Sequence, residues 1–285
     1  MKVAIVGSSG YIAQYLSRCL KKESQIESIL KIDKTEDSDV FLDLLNADSF
    51  DFSVLDEIDY IVFTAAISGP DKCASEFELC WKINVTGTIL FIREAIKRGC
   101  NILFFSSDAV FGESRTAVFD ELSETKAITP YGKMKKAVED TFRGCSGFKA
   151  IRLSYVASIN DRFISYCLNC IRNDEVAEVF HPFYRNVTVI SDVARIVLYF
   201  AFHWNDFDGQ FINVVGKELV SRVRIADEIN RITGNKLRYR ISFPSTEFFA
   251  NRPQITQVRS LYLPSMIEDN TFTEKIAKEL EGLSI

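Results

Sequence analysis

The start of the chain carries its most constraining pattern, an apolar run that ends in a glycine-rich turn and continues into a second apolar segment. Residues 2–6 read as a buried strand, and Gly7 and Gly10 follow at once. Glycine permits a sharp turn and a close approach of the backbone to a ligand, and the helix that follows directs free N–H groups at an anion. The pattern predicts a turn that holds the diphosphate of a dinucleotide. The cofactor residues predicted in this segment are Gly7, Ser9, Gly10, Tyr11 and Ile12.

A second apolar run, residues 29–32, ends on Asp33. A carboxylate at the end of the second strand accepts hydrogen bonds from the adenosine ribose and repels a 2′-phosphate, which favours NAD over NADP. The adjacent Lys34 weakens this preference, so NADP stays open as the coenzyme. Both residues are predicted to lie at the cofactor.

The composition is that of an ordinary globular protein. The 285 residues are 47% hydrophobic and 26% charged, with a formal net charge of -5. A chain without excess lysine and arginine offers no broad surface for nucleic acid or anionic lipid, so neither partner is expected. The longest apolar stretch, residues 193–204, contains Arg195 and is shorter than the roughly twenty residues that cross a bilayer. The N-terminus reads as a strand and not as a signal peptide, which predicts a cytoplasmic protein.

Seven cysteines are scattered along the chain without the spacing of a disulfide framework. The C-x-x-C motif from Cys167 to Cys170 lies in a predicted helix and has no second cysteine pair to complete a zinc site. Buried thiols are therefore favoured over a zinc or redox site, and no metal is predicted.

Short β-branched or aromatic runs alternate with amphipathic stretches through the first half of the chain. The predicted strands cover residues 2–6, 28–32, 60–64, 101–105 and 150–153, with a later strand at 210–215. The predicted helices between them cover residues 12–22, 74–98 and 131–142. This alternation predicts an α/β fold, a doubly wound parallel sheet with helices on both faces.

The alternation loosens after Leu153, which predicts a smaller C-terminal lobe that binds the substrate. The elements predicted there are helices over residues 163–172, 192–202 and 221–233 and an extended segment over 187–190. We assign residues 1–155 to a dinucleotide-binding Rossmann domain, which residues from about 190 to about 215 complete. The substrate-binding lobe then comprises residues 156–189 and 216–285.

Tyr131 and Lys135 stand four residues apart near the start of a predicted helix and share one face of it. A lysine ammonium beside a phenol lowers the pKa of the tyrosine towards the range in which it exchanges a proton with a substrate oxygen. The lysine can also bind the nicotinamide ribose. Ser107 ends a strand upstream, at the sheet edge where cofactor and substrate should meet, and can hydrogen-bond the reacting oxygen.

Together these motifs resemble the extended short-chain dehydrogenase/reductases, the NAD-dependent epimerase/dehydratase family that acts on nucleotide sugars. Further matching segments are Asp43-Leu44, Thr64-Ala65-Ala66, Asn84-Val85-x-Gly87-Thr88, Ile151-Arg152-Leu153 and Val189 to Ala194. Within that family, the runs most similar to dTDP-4-dehydrorhamnose reductases are Ser107-Asp108-Ala109-Val110-Phe111 and Asn251-Arg252-Pro253.

The resemblance implies an NAD(P)-dependent enzyme whose catalytic triad is Ser107, Tyr131 and Lys135. It also implies that the cofactor is contacted by Asp43, Leu44, Thr64, Ala65, Ala66, Asn84, Tyr131 and Lys135. In the lobe, Arg185 and Arg252 are candidates to neutralise a substrate diphosphate, although a plain surface role explains each of them equally well. The remaining predicted substrate residues are Ser68, Asp108, Tyr155 and Asn186.

Ala109 departs from two branches of the family. Sugar 4,6-dehydratases carry glutamate at this position and GDP-fucose synthases carry cysteine, groups that move a carbon-bound proton. Alanine can do neither, so dehydratase and 3,5-epimerase chemistry are disfavoured. Hydride transfer remains, either as a single reduction or as the oxidation and re-reduction of a 4-epimerase.

Two further functions stay open. One is a dinucleotide-binding regulatory protein without turnover, similar to the regulatory subunit of methionine adenosyltransferase, and the other is a reductase of small carbonyl compounds. A homodimer through helices 74–98 and 131–142 is a further expectation. The base, the sugar and the stereochemistry of the product depend on contacts in the lobe that no spacing rule encodes.

Overall fold

The computed structural model describes residues 1–114, 116–263, 267 and 270–281. The strands are β1 (Lys2–Val6), β2 (Ser28–Asp33), β3 (Val40–Phe41), β4 (Tyr60–Phe63), β5 (Asn101–Ser107), β6 (Phe148–Leu153), β7 (Tyr155–Ala157), β8 (Ala177–Phe180), β9 (Tyr184–Val189), β10 (Phe211–Val214), β11 (Leu219–Ser221), β12 (Tyr239–Ser242) and β13 (Ile255–Thr256). The α-helices are α1 (Tyr11–Leu20), α2 (Pro70–Ser75), α3 (Phe77–Trp81), α4 (Thr88–Lys97), α5 (Pro130–Thr141), α6 (Arg162–Arg172), α7 (Ile190–Phe202), α8 (Arg222–Ile232), α9 (Thr246–Ala250) and α10 (Phe272–Glu279).

A sheet of seven strands in the order β10-β6-β5-β4-β1-β2-β3 forms the larger part of the molecule, and every strand pair in it is parallel. The chain order along the sheet reverses between β1 and β4. In open parallel sheets, ligands bind at this switch point, beyond the carboxyl ends of the strands. The predicted doubly wound α/β fold is confirmed.

Hydrophobic cores on both faces of the sheet explain why its strands read as nearly continuous apolar runs. Val3 and Ile5 of β1 pack with α1 and α7 on one face, whereas Ala4 and Val6 pack with α4 and α5 on the other. The catalytic helix that the sequence predicts, α5, is thus held against the sheet by the same burial that stabilises the fold.

A separate core cluster lies in the second lobe and is built from α6, α8, α10 and the strands around β9. Strand β9 pairs with β11 in an antiparallel manner and with β7 and β13 in parallel. Cys167 and Cys170 are buried in this cluster. Of the helices in the described ranges, none is both long and apolar enough to span a membrane. The predicted domain boundaries stay a proposal.

The helix predicted over residues 74–98 is wrong as a single element. Glu76 has a non-helical backbone (φ -119°, ψ 48°) that separates α2 from α3, and residues 82–87 form a wider π-helical turn before α4. The amphipathic spacing continues through both breaks, which is why periodicity alone did not reveal them. The sequence also did not predict the short strands β3, β7, β8, β11, β12 and β13 or the helices α9 and α10.

A buried ion pair anchors α5 to the sheet. Glu139 of α5 is 0% exposed, and Arg152 of β6 is 2% exposed. Arg152 donates from Nε to Glu139 Oε1 at 3.0 Å and from Nη2 to Oε2 at 2.7 Å, and the Ser106 hydroxyl donates to Oε1 at 2.6 Å. The guanidinium carbon of Arg152 lies 4.9 Å from the ring centroid of Phe111 and 4.7 Å from that of Phe211.

We expect Glu139→Ala to lower the free energy of unfolding by about 3 to 5 kcal/mol, because it leaves the Arg152 charge buried without its partner. Urea denaturation measures this change. The matched control is Asp140→Ala, which removes the neighbouring exposed carboxylate and should cost under about 1 kcal/mol. Equal effects of the two variants would contradict the anchoring role. Replacing Glu139 and Arg152 together by leucine should restore most of the loss.

Candidate functional site

The glycine turn lies at the switch point of the sheet, between the ends of β1 and β4. Gly7 has φ +85°, and a Cβ there would lie 2.6 Å from the amide nitrogen of Ala65, so any other residue would be strained and would clash. Gly10 precedes α1, and no side chain caps that helix. The first N–H groups of α1 therefore point out of the turn and can donate to an anion.

Asp33 ends β2 beside this turn. Its carboxylate accepts from the backbone N–H of Ser9 at 2.8 Å and of Lys34 at 2.7 Å. Each carboxylate oxygen has a second lone-pair direction, so these bonds leave capacity for ribose hydroxyls. The Lys34 side chain is exposed.

Hydrogen bonds of Thr64 and Asn84 hold the segment after β4 in place. The Thr64 hydroxyl donates to the carbonyl of Val6 at 2.8 Å and to that of Gly7 at 3.1 Å. Asn84, which is buried in the π-helical turn, accepts from the N–H of Ile67 at 2.8 Å and donates to its carbonyl at 2.8 Å. The wider turn thus directs an amide onto residues 64–68, which include the predicted cofactor residues Ala65 and Ala66 and the predicted substrate residue Ser68.

Asp43 and Leu44 lie at the far edge of the sheet, beside β3. Asp43 caps the short helical segment that follows it by accepting from the N–H of Leu45 at 3.0 Å. An open cavity of about 640 Å³ adjoins it, lined by Val40, Phe41, Asp43, Asn46, Asp48, Ser49, Phe50 and Asp51. Leu44 packs on the π-helical turn that carries Asn84, because a Cβ on Gly87 would lie 1.8 Å from the Leu44 carbonyl oxygen.

Helix α5 approaches the end of β5 very closely. Thr129 caps the helix by accepting from the N–H of Gly132 at 3.2 Å, and Pro130 is its first residue, one position before the predicted start. A Cβ on Gly132 would lie 2.3 Å from the carbonyl oxygen of Ala109. Only glycine permits this contact, which brings the first turn of α5, including Tyr131, against the segment that follows Ser107.

Ser107 and Asp108 form a polar corner at the end of β5. The Ser107 hydroxyl donates to Asp108 Oδ1 at 3.1 Å and accepts from the N–H of Ala109 at 3.2 Å. Asp108 Oδ2 accepts from the Ser154 hydroxyl at 2.6 Å and lies 3.9 Å from Nε of Arg185. This corner therefore joins the large sheet to the lobe.

Burial controls the protonation of Tyr131 and Lys135. Lys135 is buried with its Nζ 4.4 Å from the ring centroid of Phe104 and 5.8 Å from that of Tyr131. Burial lowers the pKa of Lys135 to about 7, against the opposing charge of Glu139 one turn later.

The expected lowering of the Tyr131 pKa by Lys135 is not found in this structure. Burial raises the pKa of the Tyr131 phenol well above its usual range, and the nearby Cys73 and Asp108 raise it further. Desolvation of the phenol is the largest influence on its pKa, and no lowering by Lys135 opposes it.

Two of the predicted substrate residues use their polar groups in the lobe itself. The Asn186 amide donates to the carbonyl of Gly216 at 3.0 Å and accepts from the N–H of Val258 at 2.8 Å. The Tyr155 hydroxyl donates to Asp161, the residue that caps α6. Both contacts hold the lobe together.

Arg185 and Arg252 both donate to backbone carbonyls of residues 248–253. Arg185 donates to the carbonyl of Pro253 at 2.6 Å, and Arg252 donates to that of Phe248 at 2.6 Å and to Asp71 Oδ2 at 2.5 Å. Because Asp71 belongs to α2, Arg252 bridges the lobe and the segment after β4.

Sequence reasoning missed several residues that shape this region. Glu139 lies four residues after Lys135, a helical spacing that could have revealed it. Cys73, Ser154 and Arg222 belong to no motif, and only the tertiary structure brings them beside the predicted residues.

Comparison with known proteins gives a family and a shared fold. A family model described as RmlD substrate binding domain matches residues 1–281. A dTDP-4-dehydrorhamnose reductase of Aggregatibacter actinomycetemcomitans is 24% identical over 204 residues, which are 70% of this chain and 67% of that protein.

Two solved structures match nearly the whole chain. The dTDP-4-dehydrorhamnose reductase from Bacillus anthracis str. Ames in complex with NADP has a TM-score of 0.83 and 20% identity and covers 98% of both chains. MoeE5 in complex with UDP-glucose and NAD has a TM-score of 0.82 and 21% identity, covering 99% of this chain and 98% of that one. At these identities the structures show the same fold.

The lowered pKa of Lys135 predicts how stability depends on pH. Between about pH 7 and about pH 10.5 the lysine is neutral when folded and protonated when unfolded, so the unfolded state binds more protons. The free energy of unfolding should therefore rise with pH in this window, by at most about 1.4 kcal/mol per pH unit.

Urea denaturation from about pH 6 to about pH 9 measures this dependence. The free energy of unfolding of the wild type should increase relative to that of Lys135→Met as the pH rises. The control Lys136→Met, at a half-buried neighbour that pairs with Asp140, should show no such trend. If the free energies of unfolding of the wild type and Lys135→Met differ by the same amount at every pH, the lowered pKa of Lys135 is contradicted.

Proposed function

This chain belongs to the RmlD substrate binding domain family, and we propose that it reduces a keto carbon of a nucleotide-linked sugar with a nicotinamide dinucleotide. The family resemblance predicted from the sequence is confirmed by that match. The observation that carries the proposal is the meeting of the glycine turn, the end of β5 and the first turn of α5 at one edge of the sheet. The reaction, the substrate and the individual residue roles are proposals.

The crevice fits a dinucleotide. The lack of a Cβ at Gly7 lets the turn lie against the backbone of Ala65, and the uncapped start of α1 can donate to a diphosphate. Asp33 keeps lone pairs for the adenosine ribose. Among proteins of this fold, the Bacillus anthracis enzyme binds NADP and MoeE5 binds NAD. A bound reduced nicotinamide would supply the hydride.

Tyr131 is proposed as the proton donor to the substrate oxygen. Reduction of a ketone adds one hydride to carbon and one proton to oxygen, and the raised pKa of the buried phenol keeps that proton available at neutral pH. Ser107 can turn its hydroxyl from Asp108 to the same oxygen and orient it. Lys135, with a pKa of about 7, can stabilise the phenolate left behind when it carries a proton itself.

The protonation of Tyr131 favours reduction over 4-epimerisation. A 4-epimerase must first remove a proton from a sugar hydroxyl, which requires a phenolate, and burial makes the phenolate costly here. Ala109 supplies no second acid or base. Arg185 and Arg252 are proposed to neutralise the substrate diphosphate, as MoeE5 is a protein of this fold that binds UDP-glucose.

The homodimer remains a prediction. Leu79, at 37% exposed, is free to contribute to a helix interface, whereas Phe91 is fully buried in the core and cannot. Analytical ultracentrifugation tests the oligomeric state.

A panel assay tests the proposed function. The protein is incubated with NADH or NADPH and a set of 4-keto nucleotide sugars, and the loss of the reduced-nicotinamide absorbance is followed. Oxidation that requires the nucleotide diphosphate supports the proposal. Binding of the coenzyme without oxidation across the panel would favour a regulatory protein, and oxidation by small ketones regardless of the diphosphate would favour a reductase of small carbonyl compounds.

Tyr131→Phe should lower kcat by about two to four orders of magnitude, because it removes the proton donor. Coenzyme affinity should change by less than about twofold, since the ring and its packing remain. Steady-state kinetics and fluorescence titration with NADH measure the two quantities. The control is Tyr166→Phe in the lobe, which should leave kcat unchanged. A Tyr131→Phe enzyme with nearly wild-type turnover would rule out the proposed acid.

Asp33→Ala and Asp33→Asn should both raise the affinity for NADPH relative to NADH, because each removes the charge that repels a 2′-phosphate. The asparagine variant keeps an acceptor for the N–H of Ser9, so it separates charge from the support of the glycine turn. Titration with both coenzymes measures the ratio of dissociation constants. A ratio unchanged in both variants would remove Asp33 as the determinant of coenzyme choice.

A further inference from the structure

Arg222, the first residue of α8, places a cation among aromatic rings in the lobe. Its guanidinium carbon lies 5.0 Å from the ring centroid of Phe163 and 4.8 Å from that of Phe183. Its Nε is buried and has no hydrogen-bond partner within the described residues. Because a buried donor without a partner costs free energy, such a group is expected to have a ligand.

Arg222 is one of three arginines on a shared aromatic surface. The Phe183 ring also lies 4.4 Å from the guanidinium carbon of Arg185. Arg252 lies 4.3 Å from the centroid of Phe248, whose ring centroid is 6.0 Å from that of Phe183. We call Arg185, Arg222 and Arg252 the arginine cluster.

Two members of the arginine cluster contact the candidate site. Arg185 lies 3.9 Å from Asp108, the neighbour of Ser107, and Arg252 contacts Asp71 of α2. Burial lowers the pKa of Arg185 and of Arg222, and repulsion from Arg252 lowers both further. Asp108 and Asp71 offset part of the charge of Arg185 and Arg252, and the charge of Arg222 adds to the repulsion within the cluster.

Arg222 differs from the other two arginines in lacking a carboxylate of its own. Asp161 is the carboxylate whose charge acts on it, but the hydrogen bonds that Asp161 accepts within the described residues all come from other groups. They come from the N–H groups of Ser158, Phe163 and Ile164 and from the Tyr155 hydroxyl. The structure therefore leaves one cation of the cluster for an external anion.

We propose that Arg222 binds an anionic oxygen group of the substrate, so that the lobe presents three guanidinium groups where two were expected. The inference rests on the proposed function, since it takes the ligand of this cleft to be a nucleotide-linked sugar. A guanidinium can donate two parallel hydrogen bonds to a phosphate or a carboxylate, and the rings behind Arg222 hold it ready to do so. The anion is either the diphosphate or a carboxylate on the sugar.

Isothermal titration calorimetry of Arg222→Met tests the inference with UDP, dTDP, UDP-glucose and UDP-glucuronic acid as probes. Loss of a charged hydrogen bond should weaken binding by about 10- to 100-fold. Equal weakening for every probe identifies the diphosphate as the anion that Arg222 binds. Weakening confined to UDP-glucuronic acid identifies a sugar carboxylate. Arg222→Lys should recover part of the affinity because it keeps the charge.

Arg240→Met is the matched control, because Arg240 is an exposed arginine of the same lobe whose partner is Glu178. It should bind all probes as the wild type does. Changes below about twofold in Arg222→Met for every probe would overturn the inference, as would a wild type that binds none of them. Weakening of NADH binding alone would also overturn it, because the anion would then belong to the coenzyme.

These outcomes are separable from a failure of the proposed function. If Arg222→Met weakens the binding of the nucleotide probes but the wild type never oxidises NADH or NADPH with a keto sugar, the anion site is supported and the reductase function is ruled out. If the wild type oxidises NADH with a keto sugar and Arg222→Met binds the nucleotide probes equally well, the reductase function is supported and the anion site is ruled out.

Discussion

The close contact between α5 and the ends of β5 and β6 is the constraint on which the candidate site depends. Gly132 lets the helix backbone reach the carbonyl of Ala109, and Glu139 ties the same helix to Arg152 two turns later. The first contact determines the distance between helix and strand, and the second determines the orientation of the helix along the sheet. Tyr131 lies at the glycine end of α5, and Lys135 lies between the two contacts. The contacts of Gly132 and Glu139 therefore fix the positions of both side chains.

The same contact decides the protonation of the site. Packing that excludes water from α5 lowers the pKa of Lys135 to about 7 and raises that of Tyr131. A neutral phenol beside a lysine that titrates near neutrality is suited to giving a proton to a carbonyl oxygen and poorly suited to removing one from an alcohol. Burial therefore shifts the pKa values of both groups, in the directions that the proposed reduction uses.

The large sheet and the lobe carry different charged groups at the cleft. In the proposed function, the large sheet would offer backbone N–H groups and a carboxylate, Asp33, to the cofactor, whereas the lobe carries guanidinium groups stacked on phenylalanine rings. Contacts such as that of Arg252 with Asp71 join the two parts across the cleft. An anionic substrate would thus relieve the repulsion within the arginine cluster and strengthen the connection between sheet and lobe.

Local pattern determined the parts of this protein that neighbouring residues dictate. The strand and turn around Gly7, the acid at the end of β2 and the capped start of α5 were predictable, because backbone conformation and hydrophobic periodicity act over a few residues. Tertiary structure alone decided the break in helix 74–98 that aims Asn84 at Ile67, the use of the Asn186 amide within the lobe, the pKa of Tyr131 and the place of Arg222. These depend on burial and on contacts between residues far apart in the chain, and spacing along a sequence carries no information about which distant groups will exclude water from one another.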